Sequence, residues 1–326
     1  MTDRQVAEKW LVNEGWERDV AEGLSPWISA LSAEKGRPIA VFDFDNTLIM
    51  GDIGELYSQY LIDEVLYRYD LDAFWGLIDP EDGRDRLRQL ATEIWETPRS
   101  EQRTHPLYDA YRREASELYR RRFDRLGRRD CYEWAVKLHV GIEEAQMARW
   151  SRAAMARELG RRRQRVSLGE SDRGEVEVQR GIRVIAQMRR LLQRLMEEGV
   201  EVWIVSASNE WTVRAVAPLF GVPEQRVLGN RVTVNDRGQL TDQREGPVVY
   251  REGKVALIES VIGSQPQLAA GDAITDKEML EFVDGPSLLI DRGDEAMRLA
   301  ARERDWLVQP QERLDGMAPT PPWEDA

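Results

Sequence analysis

Apolar positions along this chain follow two periods. From residue 4 to residue 33 they recur at helical spacing, which predicts amphipathic helix broken near Gly15 and Pro26. Pro38-Ile39-Ala40-Val41-Phe42-Asp43 is instead a short continuous apolar run ending in an acid, the pattern of a buried strand. Helical spacing returns over residues 52–165, with Leu56, Tyr60, Val65 and Tyr69, then Trp134, Leu138 and Ile142. This stretch is rich in Trp, Tyr, Arg and Glu and reads as an all-helical insert of roughly six helices. Arg161 to Arg180, with Arg161-Arg162-Arg163 and Gly169-Glu170-Ser171-Asp172-Arg173-Gly174, reads as a polar linker whose charges form a solvated face.

After the linker, helix and strand patterns alternate. Helices are predicted from Ile182 to Glu198 before Gly199, Asn209 to Phe220 before Gly221, Glu252 to Ile262, Asp276 to Phe282, and Asp294 to Arg304. Strands are predicted at residues 200–205, 268–270, 287–290 and 306–308, with a hairpin over 226–242 turning at Asn235-Asp236-Arg237-Gly238. Alternation of this kind implies an α/β fold, a Rossmann-like parallel sheet with helices on both faces. The core is then residues 1–50 and 175–310, an all-helical domain of residues 51–174 is inserted after the first strand, and residues 311–326, with Pro319, Pro321 and Pro322, form a flexible tail.

Composition narrows the function. With 326 residues and 42% hydrophobic content the chain can bury a large core. The net charge of -13 argues against nucleic-acid binding, which rests on Lys and Arg neutralising phosphates. It leaves anionic small substrates open, because a bound cation inverts the local field. Cys131 is the sole cysteine and His105 and His139 the only histidines, so a disulfide framework and a Cys-based zinc site are excluded, and these three residues are expected to be structural. No signal-peptide pattern and no apolar stretch of about 20 residues is present, so a cytoplasmic protein without a membrane span is expected. Lysines are few (Lys9, Lys35, Lys137, Lys254 and Lys277), which makes one at a helix start noticeable.

Four polar clusters fall at the predicted carboxyl ends of strands, where open parallel sheets place their sites. Asp43-Phe44-Asp45-Asn46-Thr47 follows the first strand; it is a turn, or two carboxylates at i and i+2 that share a hard cation. Ser206-Ala207-Ser208-Asn209 is a helix N-cap, or a hydroxyl and backbone N–H groups holding a phosphate. Lys254, near a helix N-terminus where a cation is slightly unfavourable, is a solvated lysine or a partner for a phosphate oxygen. Gly271-Asp272-Ala273-Ile274-Thr275-Asp276 is a tight turn, or it adds Asp272 as a metal ligand.

The joint order of these four pieces resembles the haloacid dehalogenase superfamily of phosphohydrolases over residues 38–50 and 180–310, and the helical insert resembles its C1-type cap in position. The resemblance implies that Asp43 attacks phosphorus and forms an aspartyl-phosphate, and that Asp45 protonates the leaving alkoxide and then deprotonates water. It implies that Thr47 supports the loop, and that Ser206, Ala207 and Lys254 hold phosphoryl oxygens. It implies Mg²⁺ held by Asp43, the backbone carbonyl of Asp45, and Asp272, with Asp276 bonded to Lys254 or to a metal-bound water. Asp45 points to phosphatase chemistry, since the dehalogenase branch lacks this acid.

Within the superfamily, the segment from Asp43 to Glu55 looks most like the phosphoserine and phosphocholine phosphatase branch, whose acid nine residues after the nucleophile meets a substrate ammonium. Asp52 stands there, with Glu55 one turn further; Asp52 reads equally as an N-cap. Tyr57, Tyr60, Trp75, Trp95, Trp134 and Trp150 are core of the insert or, in part, a cage for a quaternary ammonium. A small phosphorylated metabolite is thus the expected substrate. A phosphotransferase, a phosphoprotein phosphatase and a non-catalytic phosphate binder are the competing readings.

Overall fold

The computed structural model of the chain describes residues 1–31, 36–171 and 174–323. In chain order its strands are β1 (Ile39–Phe42), β2 (Ile49–Met50), β3 (Gln164–Ser171), β4 (Gly174–Arg180), β5 (Arg183–Ile185) and β6 (Glu201–Asn209). They continue with β7 (Val227–Val234), β8 (Leu240–Glu245), β9 (Leu268–Gly271), β10 (Ser287–Asp291), β11 (Leu307–Pro310) and β12 (Gly316–Met317). The chain divides into two compact units.

The first unit comprises Met1–Asp52, Arg183–Gly229 and Val249–Ala326. Its centre is a parallel sheet in the order β11-β10-β9-β1-β6, with the start of β7 next to β6. The strands are apolar on both sides because helices cover both. Ile39, Val41, Val205, Ala269 and Leu289 share one cluster with Met297 and Ala300 of the helix Glu295–Glu303. On the helix Ala186–Glu197, Met188, Leu191, Leu192 and Leu195 are buried at helical spacing. Each fully buried Leu of this kind contributes about 1.5–3 kcal/mol.

Pairing register sets the site. Phe42 is level with Ile204 on β6 and with Ala270 on β9. The residues that follow, Asp43, Val205-Ser206 and Gly271-Asp272, therefore emerge together at one carboxyl edge. The N–H of Asp43 still donates to the carbonyl of Ala270 at 2.9 Å, so the acid leaves the sheet only at its side chain.

Three sequence expectations change in this unit. Pro26 does not break the first helical region, since it lies inside the helix Arg18–Ala30; only the break near Gly15, after Asp3–Asn13, remains. The expected end of that region, at residues 32 and 33, lies outside the described residues. Residues 183–185 are strand rather than helix: β5 pairs antiparallel with β2 and with β12. The supposed tail is therefore structured as far as β12, and Leu314 is buried; residues 324–326 lie outside the described part.

The second unit comprises Ile53–Ile182 and Asn230–Val248. Among the described residues it holds six α-helices: Ile53–Asp63, Asp72–Gly76, Arg84–Glu96, Tyr108–Leu126, Arg128–Lys137 and Glu144–Leu159. It is not all-helical. The stretch read as a polar linker forms the antiparallel pair β3–β4, with Val166 opposite Val178; residues 172 and 173 are outside the described part. The hairpin expected in the core, β7–β8, belongs largely to this unit.

Charged residues were expected on a solvated face here, yet Arg180 at the end of β4 is buried. Its guanidinium is 2.7 Å from Asp63 and 3.5 Å from the buried Glu158. Burial pushes the Asp63 carboxyl up, but Arg180 and Arg112 outweigh it and hold it below its usual value. The insert's aromatics are mainly core. Tyr57, Trp75 and Trp134 are buried, with Trp75 Nε1 donating to the Tyr69 carbonyl at 2.9 Å and Trp134 Nε1 to the Leu77 carbonyl at 2.6 Å. Tyr60 carries the Arg157 guanidinium 4.5 Å from its ring centroid. His139 is buried and stacked on Tyr57, and burial lowers its pKa to about 4. No helix among the described residues is long and apolar enough to cross a membrane.

Candidate active site

Four strand ends and one helix of the first unit meet at the carboxyl edge of its sheet. After β1 the chain turns through Asp43-Phe44-Asp45-Asn46-Thr47. Asn46 takes a left-handed conformation (φ 60°), which Asn tolerates better than most residues. Its N–H donates to the Gly51 carbonyl at 3.0 Å and its Oδ1 accepts from the Gly51 N–H at 3.2 Å. The loop is thus closed on itself immediately after the two acids. Phe44 and Leu48, both fully buried, anchor it beneath.

Lys254 comes from the helix Glu252–Leu257 and is wholly buried. Its Nζ lies 2.6 Å from Asp43 Oδ1, 2.6 Å from Asp276 Oδ1, and 2.8 Å from the carbonyl of Val205. All three of its donors are therefore engaged. Asp276 is held in turn: its Oδ2 accepts from the backbone N–H groups of Asp272 and Ala273, each at 3.0 Å. That contact explains Gly271, where an added Cβ would stand 2.6 Å from the Asp276 Cβ.

Asp272 lies beside this pair. Thr47 Oγ1 is 3.5 Å from one of its oxygens, and Arg292 Nη1 is 2.9 Å from the other. Asp43, Asp272 and Asp276 have carboxylate oxygens within 4.8 Å of one another. Asp45 is half-buried and accepts a 2.6 Å hydrogen bond from Ser208 Oγ. Ser206 is fully buried at the end of β6, its Oγ accepting from the Ser208 N–H at 3.1 Å, with Ala207 half-buried between them.

The electrostatics are one-sided. Three buried carboxylates face two cations, Lys254 and Arg292. Burial, reinforced by Asp276, pushes the Asp43 carboxyl up to about 7 even though Lys254 touches it. Burial, then Asp276 and Asp43, raises Asp272 well above the carboxylate range despite Arg292. Lys254 shows the converse: burial alone would lower it, and Asp276 and Asp43 raise it instead. The ammonium is well satisfied, whereas one such charge does not suffice for the aspartates around it. A cluster of hard oxygen donors short of positive charge suits a divalent cation such as Mg²⁺. Both oxygens of Asp276 are held by Lys254 and two backbone N–H groups, whereas one oxygen of Asp272 has only the 3.5 Å contact to Thr47, so Asp43 and Asp272 are the side chains better placed to ligate one.

The structure thus brings together Asp43, Thr47, Lys254, Asp272 and Asp276, with Asp45 and Ser206 linked through Ser208. Asp52 immediately precedes the helix Ile53–Asp63, and Glu55 is exposed on the first turn of that helix in the second unit. Three contributors escaped sequence reading. The sequence offers Ser208 or Asn209 as the cap of the following helix; Asn209 fills that place by accepting from the Thr212 N–H at 2.8 Å, and the Ser208 hydroxyl goes to Asp45 instead. Arg292 stands two residues after a predicted strand, and its position at the same sheet edge was the available signal. Gln311, whose Nε2 donates to the Asn46 carbonyl at 2.6 Å, lies in a segment whose composition gave none.

Comparison with known proteins identifies the chain's relatives. A sequence model of the haloacid dehalogenase-like hydrolases matches residues 87–281. Phosphorylcholine phosphatase of Pseudomonas aeruginosa is 28% identical over 290 residues, spanning 79% of this chain and 74% of that protein. Histidinol-phosphatase of Neisseria meningitidis serogroup C is 22% identical over 279 residues, spanning 83% of this chain and 97% of that protein. Among solved structures, a conserved protein of unknown function from Anaerococcus prevotii superposes with a TM-score of 0.77 at 24% identity, covering 90% of this chain and 92% of its own, and so shares the fold.

Proposed function

Because this chain belongs to the haloacid dehalogenase-like hydrolases, we propose that it hydrolyses a small phosphomonoester, with Mg²⁺ as cofactor and Asp43 as nucleophile. The observation that carries the reading is the contact of the buried Lys254 ammonium with Asp43 at 2.6 Å, anchored from behind by Asp276. A nucleophilic carboxylate repels a dianionic ester, and a fixed cation beside it removes that repulsion and stabilises the transferring oxygens.

Asp43, the backbone carbonyl of Asp45, and Asp272 would hold Mg²⁺. When bound, the ion neutralises charge and polarises the phosphoryl group. The residues of the chain do the rest. An Asp43 oxygen attacks phosphorus and the bond to the bridging oxygen breaks. Asp45 gives its proton to that oxygen, and the alcohol leaves. Asp45, now a carboxylate, takes a proton from water, which attacks phosphorus and frees Asp43 and phosphate. Splitting the transfer into two displacements lowers each barrier. Ser206 and the Ala207 N–H bind phosphoryl oxygens, Lys254 neutralises them, and Thr47 steadies Asp272 and the loop.

For the substrate we favour an alcohol phosphate bearing an amine or quaternary ammonium. Support comes from Asp52, nine residues after the nucleophile, and from two relatives whose names denote esters of cationic alcohols, phosphorylcholine and histidinol phosphate. We read the second unit, Ile53–Ile182 with Asn230–Val248, as the substrate-selecting cap of the family. The test is a Mg²⁺-dependent screen of phosphorylcholine, phosphoethanolamine, phosphoserine, histidinol phosphate and sugar phosphates. The account expects kcat/KM to favour the cationic esters and Asp52→Ala to lose that preference. Equal rates for sugar phosphates and an indifferent Asp52→Ala would sink the substrate assignment.

A further inference from the structure

Arg292 directly follows β10, and the turn that carries it is fixed on both sides. Leu289 on β10 is level with Gly271 on β9, so the two strands end side by side. Beyond β10 the buried Asp291 pins the turn: its Oδ1 accepts from the Gly293 N–H at 2.8 Å and its Oδ2 from Arg298 Nε at 2.8 Å. Gly293 is left-handed there (φ 93°). Arg292, between those two residues, directs Nη1 at Asp272 Oδ2, 2.9 Å away. The two carboxylate oxygens of Asp272 are therefore unlike. Oδ2 accepts a charge-assisted bond from a guanidinium, whereas Oδ1 has the Thr47 hydroxyl at 3.5 Å. The Asp272 side chain is 4% exposed and that of Arg292 45%, so this is not the pair of solvated side chains that contributes little.

We propose that Arg292 sets the metal preference of the site: by holding Oδ2 it leaves Asp272 one oxygen for a cation, and so favours Mg²⁺ over Ca²⁺. This rests on the reading of Asp43 and Asp272 as Mg²⁺ ligands. The two ions make different demands. Mg²⁺ is small and requires near-octahedral oxygen geometry. Ca²⁺ is larger, takes about six to eight oxygens in flexible arrangements, and accepts both oxygens of one carboxylate. A carboxylate free to offer both oxygens helps the larger ion; one tethered through Oδ2 does not. The charge of the guanidinium acts in the same sense, since a cation spanning both oxygens would approach it more closely than one held at Oδ1. Removing the partner that orients a metal ligand changes metal affinity by about 10–100-fold.

The readout is binding rather than turnover. Calorimetric titration of the metal-free full chain, at one fixed pH, gives Kd for Mg²⁺ and for Ca²⁺. The ratio of the two constants cancels the general effect of losing a positive charge, which acts on both divalent ions alike. In Arg292→Met the ratio of the Ca²⁺ Kd to the Mg²⁺ Kd should fall at least about tenfold. Arg292→Lys, which keeps a cationic donor on a long side chain, should bring the ratio back toward that of the unaltered protein. If Arg292→Met does not fold, Arg292→Ala is measured in its place. An unchanged ratio, or no recovery with lysine, would overturn the proposal and leave Arg292 a counter-charge without selectivity. Asp272→Asn separates the two levels. If it binds Mg²⁺ as tightly as the unaltered protein, or if that protein binds no Mg²⁺, the metal-site reading itself fails. If Asp272→Asn loses Mg²⁺ while Arg292→Met keeps the ratio, only the role of Arg292 fails.

Discussion

Lys254 Nζ stands 2.6 Å from the Oδ1 of Asp43, with the lysine fully buried and the aspartate nearly so. Such a pair contributes little net stability over an apolar substitute, but breaking it strands the partner. Here Asp276 would be stranded as well. Lys254→Met should therefore destabilise the fold by about 3–5 kcal/mol and abolish phosphatase turnover. Thermal or urea unfolding, read beside activity, checks both at once. A variant of wild-type stability would show that the buried pair is dispensable.

The raised carboxyl of Asp43 makes stability depend on pH in a definite sense. Burial and Asp276 place it at about 7 in the folded protein, against 3.8 for the free group. The folded state thus retains a proton that the unfolded chain has released, so the metal-free protein loses stability as pH rises between those values. On the proposed reading, Mg²⁺ would displace that proton and neutralise the cluster. Its stabilising effect should be small near pH 5 and large near pH 8. Melting temperatures with Mg²⁺ and with EDTA across that range test this; a Mg²⁺ increment independent of pH would contradict it.

Gln311 ties the C-terminal segment to the loop after β1 that carries Asp43, through the Asn46 carbonyl at 2.6 Å. Gln311→Ala should cost about 1 kcal/mol in stability, the net worth of one hydrogen bond. It should lower kcat more than it raises KM, because the loop and not the binding groups is loosened. Steady-state kinetics with p-nitrophenyl phosphate decide; unchanged kcat would make the contact incidental.

In the helical unit the corresponding test is Arg180→Leu. Asp63 and Glu158 would lose a partner in a buried setting, and the expected cost is about 3–5 kcal/mol. Unfolding monitored by the unit's tryptophans measures it. A cost near zero would show that Arg112, Arg157 and Arg161, which also contact these acids, suffice without it.

The sheet and its site edge were legible in the sequence for a physical reason. A strand buried on both faces must be continuously apolar, and the first polar residue after it marks the edge, as Asp43 does after Phe42. The order of acids, serine and lysine followed from that. What stayed hidden depends on partners distant in sequence. Arg180 looks solvated until Asp63 and Glu158 surround it, so β3–β4 passed for linker. Residues 311–317 are mostly polar and proline-flanked, and only pairing with β5 makes Gly316–Met317 strand. Ser208 looks like a cap because its neighbour Asn209 is one, and the bond to Asp45 spans 163 positions.

Everything in the mechanism passes through Asp43. The most direct measurement is mass spectrometry of enzyme mixed with p-nitrophenyl phosphate and Mg²⁺ and quenched in acid within one turnover. The account predicts a phosphoryl adduct on the peptide carrying Asp43, absent without Mg²⁺ and absent in an inactive Asp43→Asn variant. Turnover with no adduct, together with full activity in Asp43→Asn, would contradict it.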